Sequence, residues 1–167
     1  MTLTLREFRP SDLDALYELD QTCFAPGIAY SKAEIARFIR RAGTKTWIAE
    51  SERAPDGAIA GFVIARCDRR RQGHIITLDV APRWRRQSVA TSLMGAAEGW
   101  MRLEGAELVS LETAEDNLTA QRFYTQRGYV KLRRIERYYG TGKAAWLMAK
   151  ALRDGLILVS LVRNNRF

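Results

Sequence analysis

Between Leu78 and Ala90 the hydrophobic period of the chain changes, and that change constrains its fold more than any other stretch. Ile76, Leu78 and Val80 alternate with other residues after His74, which is the two-residue period of a strand. Pro82-Arg83-Trp84-Arg85-Arg86-Gln87 is a basic turn. From Ser88 onward Val89, Leu93, Ala97 and Met101 recur at helical spacing, joined by Ala90, Met94 and Trp100. A strand entering a helix through such a turn gathers unpaired N–H groups and the positive end of a helix dipole, which is a built anion site. A second segment, Asn117 to Tyr129, reads as a short helix with Asn near its start, Tyr124 in its last turns and Gly128 as its stop. Together the two segments predict a pocket that holds a polyphosphate beside a phenol.

The rest of the chain supplies the frame. Leu3 to Phe8 alternates as a strand, and Pro10-Ser11-Asp12 opens a helix with Leu13, Leu16, Tyr17, Leu19 and Phe24 on its apolar side. Pro26-Gly27 ends it, and Ser31-Lys32-Ala33-Glu34 is a capping box that starts a second helix through Ile35, Phe38 and Ile39. Strands are expected at Trp47 to Glu50 and Ala58 to Cys67 around a turn at Pro55-Asp56-Gly57, then at His74 to Val80 and Leu108 to Leu111. Tyr129 to Arg134 and Ala144 to Leu152 close as a pair around Gly140-Thr141-Gly142. The order βααβββαβαββ predicts an α/β (α+β) domain, a mixed sheet of about seven strands flanked by about four helices.

With 167 residues, 47% apolar and 28% charged, the chain suits one domain, expected over 1–153. The tail, 154–167, carries Leu156-Ile157-Leu158-Val159 and is expected to form an edge strand or a homodimer contact. Met1 to Arg6 lacks the apolar core of a signal peptide, and no run is long enough to span a bilayer. Cys23 and Cys67 are too isolated for a disulfide frame or a metal site. These features predict a cytoplasmic protein without a membrane partner or a metal. The net charge of +8 is concentrated at Arg69 to Arg71, Arg83 to Arg86 and Arg133 to Arg137. Aromatic residues are not interleaved with these clusters as stacking platforms require, which disfavours nucleic acid as partner.

The element order and the two segments resemble the GCN5-related N-acetyltransferase superfamily, and look closest to its RimI-type branch, which acetylates protein N-termini. The resemblance spans Leu5 to Leu152. Arg85-Arg86-Gln87-Ser88-Val89-Ala90 matches the family's Arg/Gln-x-x-Gly-x-Gly/Ala turn, and Asn117, Ala120, Phe123, Tyr124, Gly128 and Tyr129 match its later helix without a gap. The resemblance implies acetyl-CoA as donor, with no metal. Backbone groups of Leu78, Asp79 and Val80 would pair with the pantetheine arm. Amides of Arg86, Gln87, Ser88, Val89 and Ala90 would cradle the pyrophosphate, with Arg85 adding charge and Asn117 and Tyr124 beside them. Ser88 departs from the family's Gly: its hydroxyl would add a hydrogen bond to a phosphate, or its Cβ would clash.

The same resemblance places the general acid at Tyr124 and a base acting through water at Glu112, whose burial at a strand end is expected to raise its pKa. His74 is the rival base, set by strand alternation on the face of Ile76, Leu78 and Val80, with Asp79 facing the other way as a structural residue. The acceptor groove is expected between the first interhelical loop, with Phe24 and Tyr30, and the late hairpin with Tyr138 and Tyr139. Gly27-Ile28-Ala29-Tyr30 replaces the family's Pro-Trp there. The expected acceptor is a protein N-terminal amine. The alternatives are a small amine, polyamine or amino sugar, a catalytically silent acyl-CoA-binding domain, and a ribosome-associated module. The basic surface disfavours a polycationic acceptor unless Glu112, Glu115 and Asp116 line the groove.

Overall fold

Residues 3–51, 58–140 and 142–153 are described by a computed structural model, and every structural statement concerns them. The turn expected at Pro55-Asp56-Gly57, Thr141 of the late turn, and the tail 154–167 lie outside these residues. The strands are β1 (Leu3–Glu7), β2 (Thr44–Ser51), β3 (Ile59–Cys67), β4 (Gln72–Val80), β5 (Leu108–Ala114), β6 (Val130–Ile135) and β7 (Ala145–Ala151). The α-helices are α1 (Leu13–Cys23), α2 (Lys32–Arg40), α3 (Val89–Leu103) and α4 (Leu118–Gln126). A 3-10 turn, Pro10–Asp12, precedes α1, and another, Pro82–Trp84, follows β4.

The strands form one sheet in the order β1-β2-β3-β4-β5-β7-β6. Only β4 and β5 are parallel; the other neighbours run antiparallel. Two cores flank the sheet. Leu16 and Leu19 of α1 and Ile35 of α2 pack on Ile48, Phe62 and Ile64 from one side. From the other side Val89, Leu93, Ala97 and Met101 of α3 and Tyr124 of α4 pack on Val63, Ala65, Val109 and Leu111. The α3 stripe expected from sequence is this second core. Local signals fix the helix ends. Ser31 Oγ accepts from the Glu34 amide at 3.3 Å and Glu34 Oε2 accepts from the Ser31 amide at 2.9 Å, the capping box as expected. Gly128 ends α4 at φ 89°, a left-handed stop that suits glycine.

One feature of β4 departs from sequence expectation. Ala65 pairs with Ile75 but Ile64 pairs with Thr77, so Ile76 is an extra residue, a β-bulge. Ile75, Leu78 and Val80 pack in the α3 core, whereas Ile76 packs in the α1–α2 core. A Cβ on Gly73 would collide with Met101 of α3, so His74 next to it points to the opposite face. The bulge therefore corrects two expectations. His74 shares its face with Ile76 but not with Leu78 or Val80, and Asp79, paired with Phe62, lies on the His74 face. Strand β5 also runs past Leu111 to Ala114, which places Glu112 inside the strand.

Candidate active site

The parallel pairing of β4 and β5 holds only at Gln72–Leu108, Gly73–Val109 and His74–Ser110. Beyond His74 the strands splay, and a cavity of about 410 Å³ fills the split. Ile75 to Leu78 of β4 and Leu111 to Ala114 of β5 form its two sides, and Asn117 and Tyr124 close it from α4. Backbone groups along the split have lost the partner strand, so an extended ligand can pair with β4 as an added strand would. Leu78 fits that role. Val80 fits it less well, because its carbonyl already accepts from Arg85 Nε at 3.1 Å and from Cys23 Sγ at 3.4 Å. Asp79 is fully buried, and burial, with Asp20 nearby, pushes its carboxyl well above the usual carboxylate range despite a 2.6 Å bond from Thr77 Oγ1.

The two rival bases form one pair. His74 Nε2 lies 2.7 Å from Glu112 Oε2, across the register in which His74 sits beside Ser110. Burial alone would raise the Glu112 carboxyl as expected, but the hydrogen bond and charge of His74, joined by the Tyr138 hydroxyl, hold it below its ordinary value. That direction corrects the sequence expectation. Glu112 and Tyr124 line the main cavity, whereas His74 lines a second cavity of about 240 Å³ that shares Glu112 as a wall. Tyr124 is 8% exposed, and burial followed by the Asp79 charge pushes its phenol up, so it stays protonated.

The turn between β4 and α3 carries the shape expected of the phosphate cradle. Arg86 and Ser88 adopt left-handed backbone, φ 61° and 62°. Ser88 thus takes the conformation a glycine takes freely, and its side chain makes no capping bond. The amides at the start of α3, Val89 and Ala90 among them, are without helical partners by position and face the turn. Gln87 Nε2 turns back to the Arg83 carbonyl at 2.9 Å, and Arg85 turns to Val80, which leaves Arg86, exposed like Arg85, as the cation of the motif not drawn back onto the turn. Asn117 caps α4, its Oδ1 accepting from the Ala120 amide at 3.1 Å.

Phe24, Tyr30, Tyr138 and Tyr139, expected at the acceptor end, all line the main cavity. The Tyr138 and Tyr139 rings meet edge-on with centroids 4.9 Å apart. Tyr30 stacks edge-on against Phe38 at 5.0 Å, and burial pushes its phenol up to about 12. Asp20, a residue sequence reasoning missed, fixes Tyr30 by accepting its amide at 2.8 Å. Its signal was present, since Asp20 follows Leu16 by four on the buried stripe of α1. Burial pushes Asp20 up to about 6. The acidic residues near the groove are already paired: Glu115 with Arg134 at 2.6 Å, Asp116 with Lys143 at 2.6 Å, and Glu112 with His74.

Comparison with known proteins agrees with this geometry. The model of the acetyltransferase (GNAT) family matches residues 13–129, well over half of the chain. An uncharacterised N-acetyltransferase of Methanocaldococcus jannaschii is 29% identical over 149 residues, 89% of this chain and 91% of its own. An N-alpha-acetyltransferase of Saccharolobus solfataricus is 24% identical over 161 residues, covering 89% and 93%. Among solved structures, Ard1 from Thermoplasma volcanium superposes with a TM-score of 0.82 at 27% identity, over 92% of this chain and all of that one. The ribosomal-protein-S18-alanine N-acetyltransferase of Escherichia coli shares the fold, with a TM-score of 0.79 at 20% identity over 93% and 99%.

Proposed function

The chain belongs to the acetyltransferase (GNAT) family, an acetyl-CoA-dependent N-acetyltransferase, and we propose that its acceptor is the α-amino group of a protein or peptide. The observation that carries the reaction is the placement of Glu112 and Tyr124 on the β5 and α4 walls of one cavity opened by the splayed strands. The acceptor class is supported by the tyrosines that narrow one end of that cavity and by the near full-length likeness to an N-alpha-acetyltransferase.

The donor supplies its acetyl group as a thioester, held along β4 and at the start of α3. Glu112, kept ionised by His74, takes the ammonium proton of the acceptor, directly or through one water. The freed amine then attacks the thioester carbonyl, forming the C–N bond as the C–S bond breaks. A backbone N–H of β4 beside the split stabilises the oxygen on which charge develops. Tyr124 gives its phenolic proton to the departing sulfur, and the second proton of the attacking nitrogen, shed as the amide forms, passes back to restore the phenol. Its raised pKa is no obstacle, because the desolvation that raises the phenol raises the thiolate formed next to it as well. Tyr30, Tyr138 and Tyr139 exclude water from the acceptor end and orient the amine.

Mass spectrometry after incubation with acetyl-CoA tests the acceptor. A peptide with a free N-terminus should gain one acetyl group on its α-amine, and the same peptide with a blocked N-terminus should not. Acetylation of small amines with none of the peptides would refute the acceptor class.

A further inference from the structure

Asp20 and Asp79 take no part in the chemical steps above, and both are 0% exposed. They come from elements that pack together. Cys23, one turn after Asp20 on α1, donates its thiol to the carbonyl of Val80, next to Asp79 on β4, at 3.4 Å, and the charge of Asp20 reaches Asp79. Each carboxyl uses one oxygen. Asp20 Oδ2 accepts from the Tyr30 amide at 2.8 Å and from Gln21 Nε2 at 3.4 Å, and Asp79 Oδ1 accepts from Thr77 Oγ1 at 2.6 Å. The other two oxygens, Asp20 Oδ1 and Asp79 Oδ2, are buried with no hydrogen-bond partner. No cation faces either carboxyl among the described residues. Glu34 of α2 adds negative charge to Asp20, Tyr30 and Tyr124 face the pair as neutral phenols, and Arg85 of the turn after β4 is spent on the Val80 carbonyl and the Cys23 thiol. From β3, Phe62 and Ile64 contribute only apolar surface.

Two ionised carboxyls buried without a cation would each bear the desolvation cost of an unpaired charge, and two oxygens that can only accept cannot satisfy one another. A single proton removes both costs, because it cancels one charge and turns one oxygen into a donor to the other. We infer that Asp20 and Asp79 share one proton in a hydrogen bond between Asp20 Oδ1 and Asp79 Oδ2, and that this pair positions Tyr30 at the acceptor end by tying its loop to the donor strand β4. Burial acts in the same direction, raising Asp20 to about 6 and Asp79 well above the usual carboxylate range. Tyr30 is held from α1 at both backbone groups, its amide by Asp20 and its carbonyl by Gln21 Nε2 at 2.8 Å, so a shift of Asp20 moves the ring that lines the cavity. The positioning role rests on the acceptor reading above; the shared proton does not.

Infrared spectra of the protein alone at about pH 7 read the proton, because a protonated carboxyl has a C=O stretch that a carboxylate lacks. The wild type should show that band, and Asp20→Asn and Asp79→Asn should each lose it, since the isosteric amide donates in place of the proton. No band in the wild type, or a band retained in either variant, would overturn the shared proton. Melting gives the sign. A carboxyl raised by folding contributes stability that is present below its unfolded pKa, near 3.9, and lost as pH rises through its folded value, so Asp20→Asn should gain on the wild type in Tm between about pH 4 and about pH 8. A difference that stays constant over that range would also overturn the pair. Peptide kinetics read the positioning: Asp20→Ala should raise the acceptor KM by about two- to tenfold with kcat little changed, and Asp20→Asn, which keeps the bond to the Tyr30 amide, should restore it. An unmoved KM in Asp20→Ala, or a defect that Asn fails to rescue, would overturn the positioning role. The infrared and melting arms use no acceptor, so failure of every peptide would refute the acceptor class and leave the shared proton standing.

Discussion

Replacing His74 by alanine separates a base from the residue that tunes it. In the native protein Glu112 is half-buried, its side chain 18% exposed, yet its carboxyl is held below the ordinary value because His74 Nε2 stands 2.7 Å away. Without the imidazole, desolvation acts against only the Tyr138 hydroxyl and a backbone hydrogen bond at Glu112 itself, and the carboxyl rises. A hydrogen bond to a charged group contributes about 1.5–3 kcal/mol, and its loss leaves the carboxyl easier to protonate. The acid limb of the rate profile should move to higher pH. As pH falls the variant should drop progressively further behind the wild type, towards a limit of about ten- to hundredfold, and near pH 8, where both carboxyls are ionised, the two rates should converge.

Thiol release followed across pH with saturating acetyl-CoA reads this directly. A loss of equal size at every pH would refute the reasoning and make His74 the base itself. Unshifted limbs would show that the 2.7 Å contact does not couple the two groups. Stability gives an independent check of sign. A carboxyl lowered by folding contributes stability that is present above its unfolded pKa, near 4.3, and is lost as pH falls through the folded value. The wild type should therefore melt above His74→Ala by more at about pH 7 than at about pH 3.

Tyr124→Phe should lower kcat by about ten- to ten-thousandfold with acetyl-CoA affinity little changed in a calorimetric titration, and unchanged turnover would strip Tyr124 of the acid role. Ser88→Gly relieves a left-handed serine at about 1–2 kcal/mol but adds about 0.5–1 kcal/mol of chain entropy, so acetyl-CoA affinity should stay within about threefold. Tenfold weaker binding would instead show that the Ser88 hydroxyl holds a phosphate. Glu98→Ala removes a carboxylate, 2% exposed, that receives Lys150 at 2.7 Å, Arg127 at 3.4 Å and the Tyr129 hydroxyl at 3.1 Å. Leaving those cations without their partner should cost about 3–5 kcal/mol in urea unfolding, and a cost under about 1 kcal/mol would refute the network's role.

What was legible in the sequence is what local chemistry determines. The change of period at Ser88, the capping box at Ser31 and Glu34, the Asn117 cap and the Gly128 stop each depend on residues a few positions apart, and each is found in place. The cavity walls followed too, because Glu112, Tyr124, Tyr30, Tyr138 and Tyr139 line one space. What failed depends on pairing between distant strands. The contact of His74 with Glu112 joins residues 38 positions apart, and no periodicity reports which residue of β5 meets which of β4. The direction of the Glu112 shift failed for the same reason: burial can be guessed from a strand end, but the imidazole that outweighs it cannot. The fates of Arg85 and Gln87 were hidden as well, since both side chains turn back to carbonyls of their own turn.

The bulge at Ile76 ties these failures to the site itself. A strand in strict alternation would carry His74, Ile76, Leu78 and Val80 on one face, and nothing would interrupt its parallel ladder with β5. One extra residue turns Leu78 and Val80 to the α3 core while His74 stays opposite, and it bends and twists the strand where it is inserted. The ladder with β5 stops at His74, two residues before the insertion. Two consequences then come from one cause. The strands part and leave backbone groups facing a split in the middle of the sheet, where an extended ligand satisfies them as a strand would. The last paired residue, His74, is left at the apex with its imidazole turned to Glu112, outside the split but in contact with the residue that lines it. The irregularity that defeats alternation in β4 is thus the same one that opens the donor site and sets the proposed base beside it.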